Sequence, residues 1–262
     1  MELPHIWHPA SRVDISGALG DWFGSELGRS LLGAEKHLLG HILPDLFGYH
    51  ALQVGQAVPD DLLESSRIRH RVVVDTDPVP SGDASLLRAA PGLLPLAANS
   101  IDVVLLHHYL DLTPHPHAVL REAARVLMPE GHLVILGFNP WSLWGFWRLF
   151  RLPWASTPWL RRVMSPQRLA DWLSLLDFEV VGVESAYFRP PVQARWLNDR
   201  LGWLDQLGTR FWSQGGATYA VLARKRVACM TPLRLREPLL QMLRPALAAE
   251  ARDAAQLKKP GH

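Results

Sequence analysis

Two short runs of unbroken apolar residues, Val103-Val104-Leu105-Leu106 and Leu133-Val134-Ile135-Leu136, flank a single helical stretch. Neither run alternates with polar residues, so each reads as a strand covered on both faces. Between them Val119, Leu120, Ala123, Val126 and Leu127 recur at helical spacing, while Arg121, Glu122 and Arg125 take the other side. Thr113-Pro114-His115-Pro116 is a natural entry to that helix, because proline suits a first turn where its missing N–H is no loss. Pro129-Glu130-Gly131 stops it. Two such strands joined by a crossover of this length are parallel neighbours, and the unit they form belongs to a layered α/β sheet.

With 262 residues, 48% of them hydrophobic, one α/β domain with an embellishment is expected. A net charge of +2 and a pI of about 8.9 are too even for a nucleic-acid partner, which calls for Lys and Arg gathered on one face. Cys229 is the only cysteine, so no internal disulfide forms. Together with a start, Met1-Glu2-Leu3-Pro4-His5, that carries no apolar run, this predicts a reducing cytoplasm. No apolar stretch approaches the roughly 18 residues of a spanning helix.

Residues 1 to 20 give no periodic signal. Trp22 to Leu43 reads as one helix ended by Pro44, with Phe23, Leu27, Leu31, Leu38, Leu39 and Ile42 on its apolar side. Strands are expected at Ala51 to Val54 and Arg71 to Val74. The segment from Asp75 to Asp102 is rich in Pro, Gly and Ser, so its strand must be brief and no helix precedes it. Ser165-Pro166 opens a helix through Leu176, followed by strands at Phe178 to Val183 and Thr218 to Ala223, with an aromatic-apolar helix from Trp196 to Leu207 between them. Beyond Arg226, Pro232, Pro238 and Pro245 break an otherwise amphipathic tail, and Lys258-Lys259 near its end is solvated.

A family resemblance rides on the central unit. Leu94-Pro95, Asn99-Ser100-Ile101-Asp102, Leu120-Arg121-Glu122, Arg125-Val126-Leu127, Pro129 and Gly131 resemble the central segment of class I S-adenosylmethionine-dependent methyltransferases, and most closely the type 11 group that includes the ubiquinone-biosynthesis enzymes. The resemblance extends, on weaker motifs, over most of Leu52 to Arg226. It implies a Rossmann-like sheet of seven strands, mostly parallel with the last antiparallel, a Trp-rich helical cap, and S-adenosylmethionine lying across the strand ends. A helix before the first strand then either covers the cofactor or simply packs on the sheet. The implied cofactor positions are Gln53, Gly55, Gln56, Asp75, Asp77, Ala90 and His107.

The motifs depart from the family at two of these places. The family's Gly-x-Gly-x-Gly turn is here Gln53-Val54-Gly55-Gln56-Ala57-Val58-Pro59, which keeps only the first glycine and sets Gln56 and Ala57 against the methionine moiety. The acidic residue that meets the adenine amino group falls near Ala90, whose side chain accepts no hydrogen bond. Asp83 either substitutes from the loop or belongs to a turn. Asp75 lies twenty positions after Gly55, a suitable reach for a carboxylate that accepts the ribose hydroxyls. The competing reading of Asp75 and Asp77 is plain turn chemistry in Asp-x-Asp-Pro.

His107, His108 and Tyr109 follow the fourth strand, where this fold puts its reacting centre. An imidazole there can take a proton from an acceptor hydroxyl and Tyr109 can orient a substrate. The plainer alternative is that His107 lines the cleft and His108 packs beneath the helix entry. Four histidines (107, 108, 115 and 117) lack the cysteine or His-Glu motif of a metal centre, and no metal is expected. Asn139-Pro140-Trp141 is similar to the motif of amino-group methyltransferases but follows the fifth strand rather than the fourth, so that activity is not carried over. Trp141, Trp144 and Trp147, with Trp154 and Trp159 beyond, read as core, as a lid over an apolar acceptor, or as an interfacial patch, because Arg148, Arg151, Arg161 and Arg162 interleave them. The lid is favoured.

The expectation is therefore a methyltransferase-like domain over 1–226, with cap insertions at about 140–163 and 190–214, and a tail at 227–262. Its function would be methyl transfer from S-adenosylmethionine to a small, largely apolar acceptor. The alternative is a degenerate binding or scaffold module, with peripheral membrane contact compatible with either.

Overall fold

The computed structural model describes residues 19–55, 58, 60–80, 82–145, 163–190 and 215–226. The second glycine-turn residues Gln56, Ala57 and Pro59, the tryptophans 147, 154 and 159 with the four arginines around them, the 196–207 helix and the 227–262 tail lie outside them.

Seven strands form one sheet: β1 (His50–Val54), β2 (His70–Asp75), β3 (Ser85–Arg88), β4 (Ile101–His107), β5 (Leu127–Phe138), β6 (Phe178–Ala186) and β7 (Thr218–Lys225), in the order β3-β2-β1-β4-β5-β7-β6. Pairing is parallel from β3 through β5, and β7 runs antiparallel to both β5 and β6. The expected Rossmann-like sheet with an antiparallel last strand is the one that forms. Between β2 and β3 no helix occurs among the described residues, and β3 has only four residues.

Strand alternation divides the core in two. Ala51, Val103, Leu105, Val134 and Leu136 face α1 (Glu26–Ile42), meeting its Leu27, Leu31, Leu38, Leu39 and Ile42. Leu52, Val104, Leu106, Leu133 and Ile135 face the other way, onto Val119, Leu120 and Val126 of α3 (Pro116–Val126) and Leu169 and Leu173 of α4 (Pro166–Ser174). A one-turn α2 (Tyr109–Leu112) joins β4 to α3.

Two elements differ from the sequence reading. The single helix expected from Trp22 is broken: residues 19–23 are helical, then the chain turns at Gly24 and Ser25. The Ser25 hydroxyl accepts from Gly28 N at 3.1 Å and starts α1 afresh. Gly28 has to be small because a Cβ there would meet Trp22 O at 2.3 Å and Phe23 Cα at 2.6 Å as the preceding turn folds back. The other difference is in β5, which begins directly after α3 rather than at Leu133. Its pairing jumps from Ile101↔Leu127 to Val103↔His132, so Pro129-Glu130-Gly131 is the bulge between them, with Glu130 at φ +62°.

The spaced residues of the central segment hold this scaffold. Glu122 Oε1 accepts from Leu94 N at 2.7 Å, and Arg125 donates to Leu96 O at 2.9 Å and Leu94 O at 3.0 Å while pairing with Glu122 at 2.7 Å. The bond to Arg125 holds the Glu122 carboxyl below its ordinary range. Asp102 Oδ2 accepts from Tyr49 N and His50 N at 2.8 and 2.9 Å, fixing the start of β1 against β4. Lys225 donates to Ala124 O and Leu127 O at 2.7 Å each, closing the carboxyl end of α3 with a cation. No described helix is long and apolar enough to cross a membrane.

Arg125→Ala would leave the two loop carbonyls and the Glu122 carboxylate without their donor. It should lower stability by about 1–3 kcal/mol, read as a lower urea midpoint at unchanged slope. An unchanged midpoint would mean the clamp is incidental.

Candidate functional site

The parallel strands end together on one edge of the sheet, and chain order reverses between β1 and β4, where folds of this kind receive ligands. Gly55 stands just past β1 at φ +83° and donates to Val74 O at 2.9 Å, so it abuts the end of β2. Glycine is required there twice over. The backbone is left-handed, and a Cβ would lie 2.4 Å from Cδ2 of Tyr109, whose buried ring rests on it. Asp75 closes β2 one residue beyond Val74, the partner of Val54. Its Oδ1 accepts from Thr76 N at 2.6 Å and Thr76 Oγ1 at 3.0 Å.

The other expected cofactor positions are spread more widely. Gln53 is fully buried and its Oε1 accepts from Leu62 N at 3.2 Å, tying the loop between β1 and β2 to the sheet. Asp77 is exposed and paired with Arg88, which also donates to Thr76 O at 2.9 Å. Ala90 is exposed in a turn, its carbonyl accepting from Leu93 N at 2.8 Å.

His107 and His108 stand at the end of β4 on that same edge, but their rings turn to the face of the sheet that α1 covers. His107 continues the alternation of Val103 and Leu105, so its ring turns towards α1. His108 adopts φ +50°, a left-handed turn that folds its ring to the same side. Both are buried and both reach Glu35 of α1: His107 Nε2 lies 3.0 Å from Oε2 and His108 Nε2 2.8 Å from Oε1. On its far side, His108 Nδ1 is 3.5 Å from Asp111 Oδ2, which accepts from Phe138 N at 3.0 Å. Phe23 packs 5.5 and 5.7 Å from the two rings, and Phe138 4.1 Å from His108.

Burial alone would lift the Glu35 carboxyl, but the charge on His108 and the bonds from both imidazoles carry it down to about 2. Burial alone would lower His108, and the Glu35 charge with the Asp111 contact raises it instead to about 9. For His107 burial prevails over its bond to Glu35, and it falls below its ordinary value. At neutral pH the cluster is thus a carboxylate, an imidazolium and a neutral imidazole whose proton sits on Nε2. The ligand-type atoms of Glu35, His107 and His108 lie within 4.8 Å of one another. Each Nε2 is committed as a donor to the carboxylate, so a cation would have to displace both protons from a buried network.

A methyltransferase domain family (type 11) matches residues 64–135. The uncharacterized protein YafS of Escherichia coli (strain K12) is 34% identical over 169 residues, covering 64% of this chain and 69% of YafS. The chain belongs to the class I methyltransferase family. Among solved structures, a SAM-dependent methyltransferase from Thermotoga maritima superposes with TM-score 0.54 at 17% identity, over 80% of this chain and 100% of that one. A complex of the Haloferax volcanii Trm112 methyltransferase activator with a methyltransferase gives TM-score 0.56 at 14% identity, over 85% and 100%.

In this methyltransferase-family chain the aromatic residues after β5 divide. Asn139 Nδ2 donates to Gly216 O at 3.0 Å and its Oδ1 accepts from Trp141 N at 3.0 Å, so the turn is locked to the start of β7. Trp144 turns inward: its Nε1 donates to Arg189 O at 2.9 Å and its ring meets Trp22 at 5.9 Å and Tyr187 at 5.6 Å. Trp141 is 71% exposed. Trp147 lies outside the described residues. Beside this aromatic line a cavity of about 560 Å3 opens between α1 and the end of β6, lined by Ala34, Leu38, His41, Glu184, Tyr187 and Phe188.

Glu35 is the residue that sequence reasoning missed. The signal was present, since Leu31, Glu35, Leu38 and Ile42 share one helical face and a carboxylate within an apolar stripe needs a buried partner. Glu35→Gln should cost about 3–5 kcal/mol, because it strands a buried imidazolium. The sign with pH follows from the three groups. His108, raised, stabilises fully below about pH 6.5, and that gain is lost as pH climbs through about 9. His107, lowered, withdraws stability as pH falls below about 6.5, and Glu35 withdraws more from about 4.5 towards 2. Stability should therefore peak near pH 6–7. His108→Gln should flatten the alkaline limb of a Tm-against-pH curve, and an unchanged limb would show that His108 is not charged.

Proposed function

We propose that the chain is an S-adenosylmethionine-dependent methyltransferase whose acceptor is small and largely apolar. The observation that carries the reading is the juxtaposition of Gly55 and Asp75 at adjacent strand ends, beside the point where chain order reverses. Asp75 would accept the ribose hydroxyls, and Gly55 would let the cofactor approach the backbone. The cofactor, when bound, supplies an electrophilic methyl on sulfur, and the chain's work is to align an acceptor with it. Tyr109 stands on the glycine turn and forms a wall of that crevice. His107 and His108 are sealed beneath α1 and act on the reaction as positioning residues, by holding that helix in place. An apolar acceptor accords with the cavity beside Leu38, Tyr187 and Phe188. Its volume suits a small ligand, and it opens on the same edge, since Ala186 and Phe138 both pair with Thr218.

One observation favours a second reading, a binding or scaffold module in which the crevice no longer takes the cofactor. The Tyr109 ring covers the open face of Gly55, beside which the Ala90 side chain offers no acceptor to an adenine. Calorimetry separates the two. On the first reading S-adenosylmethionine binds, and Asp75→Ala weakens it by about tenfold or more, equivalent to about 1.4 kcal/mol. No heat and no thermal shift at millimolar cofactor, with affinity appearing only in Tyr109→Ala, would establish the second.

A further inference from the structure

The Glu35 cluster holds more polar groups than an ion pair uses. One imidazolium answers a buried carboxylate, yet a second, neutral imidazole is buried beside it and aimed at the same group. That ring costs desolvation without supplying charge. A second carboxylate, Asp111, stands on the far side of His108, and among the described residues no Lys or Arg pairs with it or with Glu35. Two carboxylates and two neutral imidazoles are together balanced by one divalent cation.

The geometry fits such a cation. The donor atoms of Glu35, His107 and His108 lie within 4.8 Å of one another, all on buried side chains. Ligands of a tetrahedral zinc, each about 2.0–2.2 Å from it, stand about 3.3 Å apart. The contacts to Glu35, at 3.0 and 2.8 Å, are shorter only by the small amount that separates sharing a proton from sharing a metal. A metal-bound imidazole carries its proton on the other ring nitrogen, which commonly faces a carboxylate. His108 Nδ1 faces Asp111 Oδ2 at 3.5 Å, and Asp111 is itself oriented by Phe138 N. His107 Nδ1 has no partner among the described residues, so the proton position on this ring is set by what lies at Nε2. Two imidazoles and a carboxylate suit zinc and its neighbours rather than calcium or magnesium, which take oxygen ligands. Sequence spacing hides such a site, because Glu35 comes from a helix 72 residues before His107.

We propose that Glu35, His107 and His108 bind a zinc-type divalent cation, which replaces the two Nε2 protons and fastens α1 to the end of β4. The inference is independent of the methyl-transfer reading and is tested without S-adenosylmethionine or acceptor. Because the three side chains are sealed, the metal enters as the chain folds. The full chain is therefore purified from cells grown with added zinc and, in parallel, stripped with chelator in urea and refolded with or without Zn2+. Elemental analysis should find about one zinc per chain, and Tm should rise by about 5–10 °C at free zinc about a hundredfold above Kd. Co2+ in place of zinc should give the intense visible bands of a low-coordinate ion. His107→Gln keeps a side-chain N–H for Glu35 and should fold, while losing at least about tenfold in zinc affinity. His37→Gln with His50→Gln breaks the exposed pairs His37–His41 and His50–His70 and should leave binding unchanged. A parent chain that retains no zinc by either route would overturn the proposal. So would zinc that is lost with the exposed pairs but kept in His107→Gln. Should His107→Gln not fold, the parent's cobalt spectrum decides, and the faint bands of a hydrated ion would overturn the proposal equally.

Discussion

A carboxylate in a helix's apolar stripe has to be answered from across the core, and Glu35 is answered by two imidazoles 72 and 73 residues away. Burying an ionised carboxylate carries a penalty of several kcal/mol, so it is tolerated only where pairing and surrounding apolar burial outweigh it. The leucines and isoleucine of α1 that meet the sheet contribute about 2 kcal/mol each, enough to dock the helix. They do not fix its register, since apolar contacts are not directional. Two hydrogen bonds to the two oxygens of one carboxylate do. The Glu35 cluster thus determines where along the sheet α1 sits, and with it the wall of the cavity beside β6.

That constraint propagates through a single strand end. His107 is the last residue of β4 to obey the alternation of the strand, and His108 leaves it through a left-handed turn. The next residue, Tyr109, then emerges in the opposite half of the core, against Leu52, Val54 and Leu106, and lays its ring on Gly55. Three consecutive residues thereby tie the covering helix, the fifth strand and the glycine turn together, since His108 N also donates to Leu136 O at 3.0 Å. A change at the histidines would be felt at the Gly55 turn through this segment.

What could be read from the sequence follows the range of the interactions involved. The apolar runs, the β-α-β unit, the missing helix before β3 and the reversed last strand were legible because local pattern or family spacing determines them. The spaced residues that carried the resemblance, Asp102, Glu122 and Arg125, are also local in space: they hold the start of β1 and the loop before β4. The break at Gly24 was hidden because apolar spacing continues through it, and only the close approach of Trp22 O to Gly28 reveals it. The place of the histidines was hidden for another reason. Their position after a fourth strand points to a reaction centre, whereas alternation from Val103 turns the His107 ring under α1.

The same contrast between position and orientation governs the tryptophans after β5. Trp141 and Trp144 are three residues apart, which on a regular helix would put them side by side. The Asn139 turn instead sends Trp144 to the Arg189 carbonyl and leaves Trp141 outside. Inner and outer aromatic residues then do different physical work. The ring of Trp144 continues a line from Phe138 and Trp22 to Tyr187, bringing the cavity wall into the same packed layer as the buried histidines. The ring of Trp141 contributes nothing to that layer. Its indole stands 71% exposed, with the backbone beneath it held by the bond from Trp141 N to Asn139 Oδ1.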